Sequence, residues 1–324
     1  MILSFDDKVQ GGLYGLLVGD ACGVPYEFKS KNDIPKLEDI GIIPPTYYKK
    51  RSYQQIPVGT WSDDGAQALC LLSALIESPD SFDIQNFANK LTAWLYSGYL
   101  AVDNNVFDVG IQTAKALDMV RRGVSIEAAA TNDERYNGNG SLMRVLPIAL
   151  WYTERSMTHK NLVDIFVNAQ LQSTPTHPHI RSRLVCGIYA LMASFLLQGQ
   201  SICGSLELAL RAADEFVTNA EMRKELQLIV DAENNEITGS GYVVDSFWSA
   251  VYAARTTSTY KEAIQTAISF GNDTDTTACI TGGLVGIYYG YTNLPADWLS
   301  VLRGQDLVKP LAQKLSLRHK LKGE

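Results

Sequence analysis

Glycines stand at positions 11, 15, 19 and 23, four residues apart in an otherwise apolar stretch with helical periodicity. Residues so spaced share one helix face. Glycine inside a helix costs about 1 kcal/mol relative to alanine, so a row of four needs a packing reason. The reason is a second backbone approaching closely along that face. Gly282, Gly283, Gly286 and Gly290 repeat the device near the C-terminus. The two rows predict two tightly packed central helices, with each other as candidate partners. Small-residue spacing also marks membrane helix pairs. Here Asp20 and flanking polar residues interrupt the best apolar run, so no membrane span is expected.

Helical periodicity dominates the rest of the chain. Val9, Leu13, Leu16 and Leu17 recur at helical spacing, as do Ala68, Leu72, Leu75 and Ile76. Further helical stretches cover residues 84–96, 106–122, 142–152, 161–170, 181–197, 205–219, 222–233, 246–254, 260–270, 276–289 and 298–302. No strand pattern of comparable strength competes, so the predicted class is all-α. Residues 29–59 form a long irregular stretch with four prolines, and loops of that length are usually functional. No linker divides the chain, and one domain over 1–324 is expected. The basic tail, residues 309–324, reads as an amphipathic, solvated terminal helix.

The net charge of -7 argues against nucleic acid or an anionic membrane surface as partner. It also means that a phosphate-bearing substrate needs local donors or bound metal. Cys22, Cys70, Cys186, Cys203 and Cys279 are odd in number and scattered. They read as reduced, buried thiols, and with no signal-peptide pattern at the N-terminus the expected location is cytoplasmic.

Two acidic stretches carry the chemistry. Ser62-Asp63-Asp64 and Asp273-Thr274-Asp275-Thr276-Thr277 each precede an apolar helix. Capping accounts for either one alone: Ser62 as N-cap, and acids complementing the helix dipole. Brought together, four carboxylates and their hydroxyls would repel one another unless a hard cation sat among them. All-oxygen donors suit Mg²⁺, Mn²⁺ or Ca²⁺ rather than zinc.

The segment Asn137-Gly138-Asn139-Gly140-Ser141 is a glycine-rich loop that enters a helix and offers backbone N–H groups to a phosphate; a plain turn capped by Ser141 is the alternative. His177 and His179 lack a third zinc ligand at sensible spacing, which leaves His177 as a substrate contact or a structural residue. Asp108 reads equally as a turn residue or a site residue.

Taken together, Gly15 to Pro25 with Glu27, Trp61-Ser62-Asp63-Asp64, Phe107-Asp108-Val109-Gly110, Asn139 to Arg144, Thr176-His177 and Gly271 to Thr276 resemble the ADP-ribosylglycohydrolase family. The resemblance implies a multi-helix orthogonal bundle with two divalent cations, Mg²⁺ or Mn²⁺, in a cleft. It implies Ser62, Asp63, Asp64, Asp273, Asp275 and Thr276 as metal ligands, and Glu27 and Asp64 as candidate catalytic carboxylates. Asp108, Gly138, Asn139, Gly140, Ser141 and His177 would bind the substrate. Gly65 stands where a threonine often follows the acidic pair, and Ser62 where threonine is common.

The implied activity is hydrolysis of the glycosidic bond between ADP-ribose and an acceptor such as a protein arginine, on a protein or small-molecule substrate. The other readings are an immunity protein acting on an ADP-ribosylating toxin as its partner, and a non-catalytic crystallin-like relative. An aspartate-nucleophile phosphatase is disfavoured, because its motif follows a strand, whereas residues 261–270 are helical in pattern.

Overall fold

The computed structural model describes residues 3–322. Fifteen α-helices account for the architecture, and no β-ladder occurs among the described residues. In chain order, α1 is Phe5–Gly23, α2 Asp63–Glu77, α3 Ile84–Ser97, α4 Ile111–Arg121 and α5 Ile126–Ala129. Then come α6 Leu146–Tyr152, α7 His159–Leu171, α8 Ile180–Leu197, α9 Ile202–Phe216 and α10 Ala220–Asp231. The series ends with α11 Val243–Arg255, α12 Tyr260–Ser269, α13 Thr274–Tyr289, α14 Ala296–Val301 and α15 Gln305–Lys322.

The glycine rows pair with each other. A Cβ at Gly11 would lie 2.2 Å from the Gly286 carbonyl oxygen, one at Gly15 2.4 Å from that of Gly282, and one at Gly19 2.1 Å from that of Ala278. Numbers rise along α1 as they fall along α13, so the two helices run antiparallel with backbones in contact. The same register sets Gly23 against Asp275. It therefore delivers the C-terminal end of α1 to the N-terminal end of α13. Gly283 serves a different neighbour, making room for the Tyr189 side chain of α8, whose hydroxyl donates to the Ile280 carbonyl at 2.9 Å.

Around this pair a single apolar cluster runs from Val9 to Leu315. At its centre, α8 is long and apolar enough to cross a membrane, with a mean hydropathy of 1.5 over Ile180–Leu197. That corrects the expectation that no such run exists. The helix is 83% buried within the protein, as a core helix is. Cys203 is exposed, a second correction; the other four cysteines are buried and all five are unpaired.

Two helices begin later than periodicity suggests. Residues 106–110 are irregular because Asp108 has φ +55°, a conformation that no helix contains. Residues 142–145 form turns before α6, whose first turn contains Pro147, a residue without an N–H to extend the ladder backward. The basic tail helix is less solvated than expected. Val308, Ala312, Leu315 and His319 are buried, and Arg318 lies 4.0 Å over the Trp151 ring while donating to its carbonyl.

The long 29–59 stretch carries short 3₁₀ turns and is fastened down. Phe28 N–H donates to the Asn272 carbonyl at 2.7 Å, and Asn272 N–H to that of Lys29 at 2.6 Å. Gln265 donates to the Ile40 carbonyl, while Ile40, Ile42 and Ile56 are buried. These bonds hold Glu27 beside the second acidic stretch.

Candidate active site and metal centre

Helix α2 starts at the site because Asp20, in the last turn of α1, holds its first turn. Asp20 Oδ1 accepts the Ser62 N–H at 2.8 Å and Oδ2 accepts the Gly65 N–H at 2.7 Å. Both N–H groups are ones a helix leaves unsatisfied at its N-terminus. Ser62 is the N-cap, its hydroxyl accepting from Asp64 N–H at 3.4 Å. Gly65 is required here: a Cβ would lie 2.8 Å from Leu17, 2.9 Å from Trp61 and 3.0 Å from Asp20. Position 65 thus gives its side-chain space to the Asp20 contact.

The α2 and α13 starts meet. Thr276 Oγ1 donates to Asp64 Oδ1 at 3.3 Å, and Thr276 N–H donates to Asp275 Oδ1 at 2.9 Å. Asp63 accepts from Gln67 at 3.0 Å, and Asp273 from Asn139 at 2.8 Å. Glu27, Asp108 and Asp275 each offer one oxygen to a common point, with those oxygens within 4.8 Å of one another. Asp108 also accepts the Tyr53 hydroxyl at 2.7 Å. It therefore sits among the carboxylates as well as lining the cavity.

Among the described residues, three buried carboxylate oxygens have no hydrogen-bond partner: Glu27 Oε2, Asp64 Oδ2 and Asp275 Oδ2. Unpaired buried polar atoms are rare in folded proteins and call for an explanation. Without a counter-charge the acids cannot all ionise. Burial, then repulsion from Asp108, Asp273 and Asp63, pushes the Glu27 carboxyl up to about 11. Burial lifts Asp20 to about 7 and raises Asp63, Asp64 and Asp275 well above the usual carboxylate range. Oxygen donors with free lone pairs, mutually repelling and buried, fit a hard divalent cation.

The cluster forms one end of a cavity of about 410 Å³. Glu27, Asp63, Asp108, Asp273 and Thr276 line that end, and Gly138, Asn139, Gly140 and His177 complete much of the lining, with Asn139 bonded to Asp273. Phe28 stands at the rim, 68% exposed. Phe28, Tyr53, Asp108 and Asn272 all have φ between +47° and +59°. Left-handed backbone is uncommon outside glycine and gathers at functional sites.

The glycine-rich loop only partly matches its expected role. Asn139 N–H is occupied by the Gly241 carbonyl at 3.0 Å, so it is not a free phosphate donor. Ser141 is fully buried and does not line the cavity. Its hydroxyl accepts from Ser173 at 2.8 Å and lies 3.4 Å from Cys186 Sγ, which corrects its expected place at the substrate. Gly138 and Gly140 do face the cavity, and a Cβ at Gly140 would meet the His177 ring at 2.8 Å. His179 instead caps α8, its ring accepting from Arg181 N–H. Gln67 and Tyr53 were not singled out from sequence, and Asp20, Thr176 and Arg144 lay within the matching motifs without a role of their own. For Asp20 the signal was a charge inside an apolar, glycine-rich helix.

Fold and site together define a helical protein with an acidic, cation-compatible cleft. The sequence profile of the ADP-ribosylglycohydrolase family matches residues 1–324. The chain is 30% identical to the ADP-ribosylarginine hydrolase Tri1 of Serratia proteamaculans (strain 568), over 95% of this chain and 79% of that one. It is 26% identical to the ADP-ribosyl-[dinitrogen reductase] glycohydrolase of Rhodospirillum rubrum, over 92% and 91%. Against the ADP-ribosylhydrolase ARH3 of Homo sapiens the identity is 25%, over 95% and 92%. A solved structure described as an ADP-ribosylglycohydrolase-related protein complex shares the fold, with a TM-score of 0.74, 24% identity and coverage of 97% and 99%. The chain belongs to the ADP-ribosylglycohydrolase family, whose members are hydrolases that cleave glycosidic bonds to ADP-ribose.

Proposed function

We propose that this protein is a divalent-cation-dependent hydrolase that releases ADP-ribose from ADP-ribosylated arginine side chains. The observation that carries the reading is the trio of unpartnered, buried carboxylate oxygens on Glu27, Asp64 and Asp275 beside a cavity. Glu27, Asp63, Asp64, Asp108, Asp273, Asp275 and the Thr276 hydroxyl are the groups that would hold the cations, Mg²⁺ or Mn²⁺, with two as the proposed number. A cation bound there would polarise ribose hydroxyls and lower the pKa of a bound water.

The chain's own residues do the rest. Glycosidic cleavage passes through an oxocarbenium-like state that nearby carboxylates stabilise. Glu27, which lines the cavity, and Asp64, bonded to Thr276 of that lining, each keep a free oxygen, and once ionised beside a cation either could accept the proton of an attacking water. The Gly138 and Gly140 backbone and His177 line the same cavity, where the diphosphate and ribose would rest. Tyr53 orients Asp108. Arginine as acceptor is supported by the names of the Serratia and Pseudomonas putida relatives, both ADP-ribosylarginine hydrolases.

The test is release of free ADP-ribose from arginine-linked and serine-linked substrates, with Mg²⁺, with Mn²⁺ and with chelator. Release from the arginine substrate alone, abolished by chelator, is the expected result. Equal release in chelator would overturn the cation; release from serine alone would overturn the acceptor.

A further inference from the structure

Arg144 is fully buried, yet among the described residues no carboxylate pairs with it. Its guanidinium donates from Nε to Gln172 Oε1 at 3.0 Å and from Nη1 to Gln67 Oε1 at 2.7 Å. From Nη2 it donates to the Gln172 carbonyl at 3.1 Å and to Thr176 Oγ1 at 2.8 Å. A buried charge satisfied only by neutral groups is expensive, so the arrangement asks what it accomplishes.

Thr176 Oγ1 also lies 2.8 Å from His177 Nδ1. A guanidinium can only donate, so one lone pair of the hydroxyl is already committed to Arg144. The hydroxyl proton has a single acceptor within reach, His177 Nδ1. In a neutral imidazole whose Nδ1 accepts, Nε2 must carry the hydrogen. We propose that Arg144 is a positioning residue which, through Thr176, locks His177 in its Nε2–H form as a fixed donor to the cavity.

Three further observations fit. Burial, and then the Arg144 charge, pushes the His177 imidazole down to about 3, so the ring is neutral. Among the described residues Nε2 has no acceptor, while the same ring edge lies against Gly140 and Gly138 at the cavity wall. The donor is therefore free for a phosphate or hydroxyl oxygen of the substrate. A fixed tautomer spares the bound state from choosing one, which is preorganisation in its simplest form. The same guanidinium fixes the Gln67 amide by claiming its oxygen, which turns the nitrogen toward Asp63.

The ligand class rests on the proposed function, but the tautomer can be read without any ligand. In protein labelled with ¹⁵N-histidine, long-range proton–nitrogen correlation reports which ring nitrogen is protonated, and His177→Gln identifies the signal among the four histidines. The expected result is an unprotonated Nδ1 and a protonated Nε2. Thr176→Val is expected to mix the tautomers and weaken ADP-ribose binding, measured by calorimetry, roughly tenfold. Thr176→Ser should restore both. A protonated Nδ1 in the native protein, or a Val variant that keeps the Nε2–H form, would overturn the proposal. Should ADP-ribose fail to bind the native protein, the functional reading fails, and the nitrogen spectrum still decides the tautomer.

Discussion

The Thr276 hydroxyl donates to Asp64 at 3.3 Å, a contact between residues 212 positions apart that brings both acidic stretches to one point. Two helix N-termini converge there, each directing a positive dipole end at carboxylates. The dipoles offset only part of the repulsion, and the unpaired oxygens remain for a cation.

Removing a proposed cation ligand should abolish turnover without unfolding the protein. Asp64→Ala and Asp275→Ala are each expected to lower kcat/KM by more than about 100-fold, with unchanged far-ultraviolet circular dichroism. Native-like turnover in either variant would show that the carboxylates do not act in the reaction.

The metal-free protein should lose stability as pH rises. Asp20 and Glu27 have native pKa values of about 7 and about 11, against ordinary values of 3.8 and 4.5. Between the ordinary and native values the folded state binds the extra protons, so unfolding becomes easier as alkali removes them. In chelator, Tm at about pH 8 should fall below Tm at about pH 5.5. Added Mg²⁺ or Mn²⁺ should raise Tm more at the higher pH, where fewer protons need displacing. With the ion at roughly a hundred times its dissociation constant, the gain is about 2.7 kcal/mol. A larger gain in acid would contradict this account.

The central helix pair tolerates no side chain. Gly15→Ala would set a methyl group 2.4 Å from the Gly282 carbonyl oxygen. The helices must part, at a cost of about 1–3 kcal/mol. Because the same pair carries Asp20 and Asp275, cation affinity should fall with stability. Denaturant unfolding and calorimetry on one sample test both; a variant as stable as the native protein would disprove the close approach.

Asp20 is expected to be structural first. Asp20→Ala strips the acceptors from two buried N–H groups, costing about 1–3 kcal/mol for each. Asparagine has one acceptor oxygen where two are used, so Asp20→Asn should recover only part of the loss. Full recovery of Tm by asparagine would show that one of the two bonds is dispensable.

Much of this was legible in the sequence, and the reasons are physical. Four glycines on one helix face have few causes besides backbone contact, so their spacing pointed to the α1–α13 pair before any coordinates. The two acidic clusters marked helix starts, and Asp63 and Thr274 begin α2 and α13. Side-chain direction in loops was not legible. Ser141 turns inward because Ser173 and Cys186, far along the chain, offer it partners. Asp20 likewise serves N–H groups more than forty residues away, and no local pattern encodes that. The irregular start of 106–110 follows from the left-handed Asp108, whose carboxylate accepts the hydroxyl of Tyr53, a residue far away in sequence.

The antiparallel pairing of the first long helix with one near the far end has a consequence for synthesis. Asp20 emerges from the ribosome long before the strip of backbone its helix must lie beside, which is made only with Thr274–Tyr289. A chain halted before residue 274 carries half a cleft and an uncovered row of glycines, so competence arrives all at once, when α13 is made.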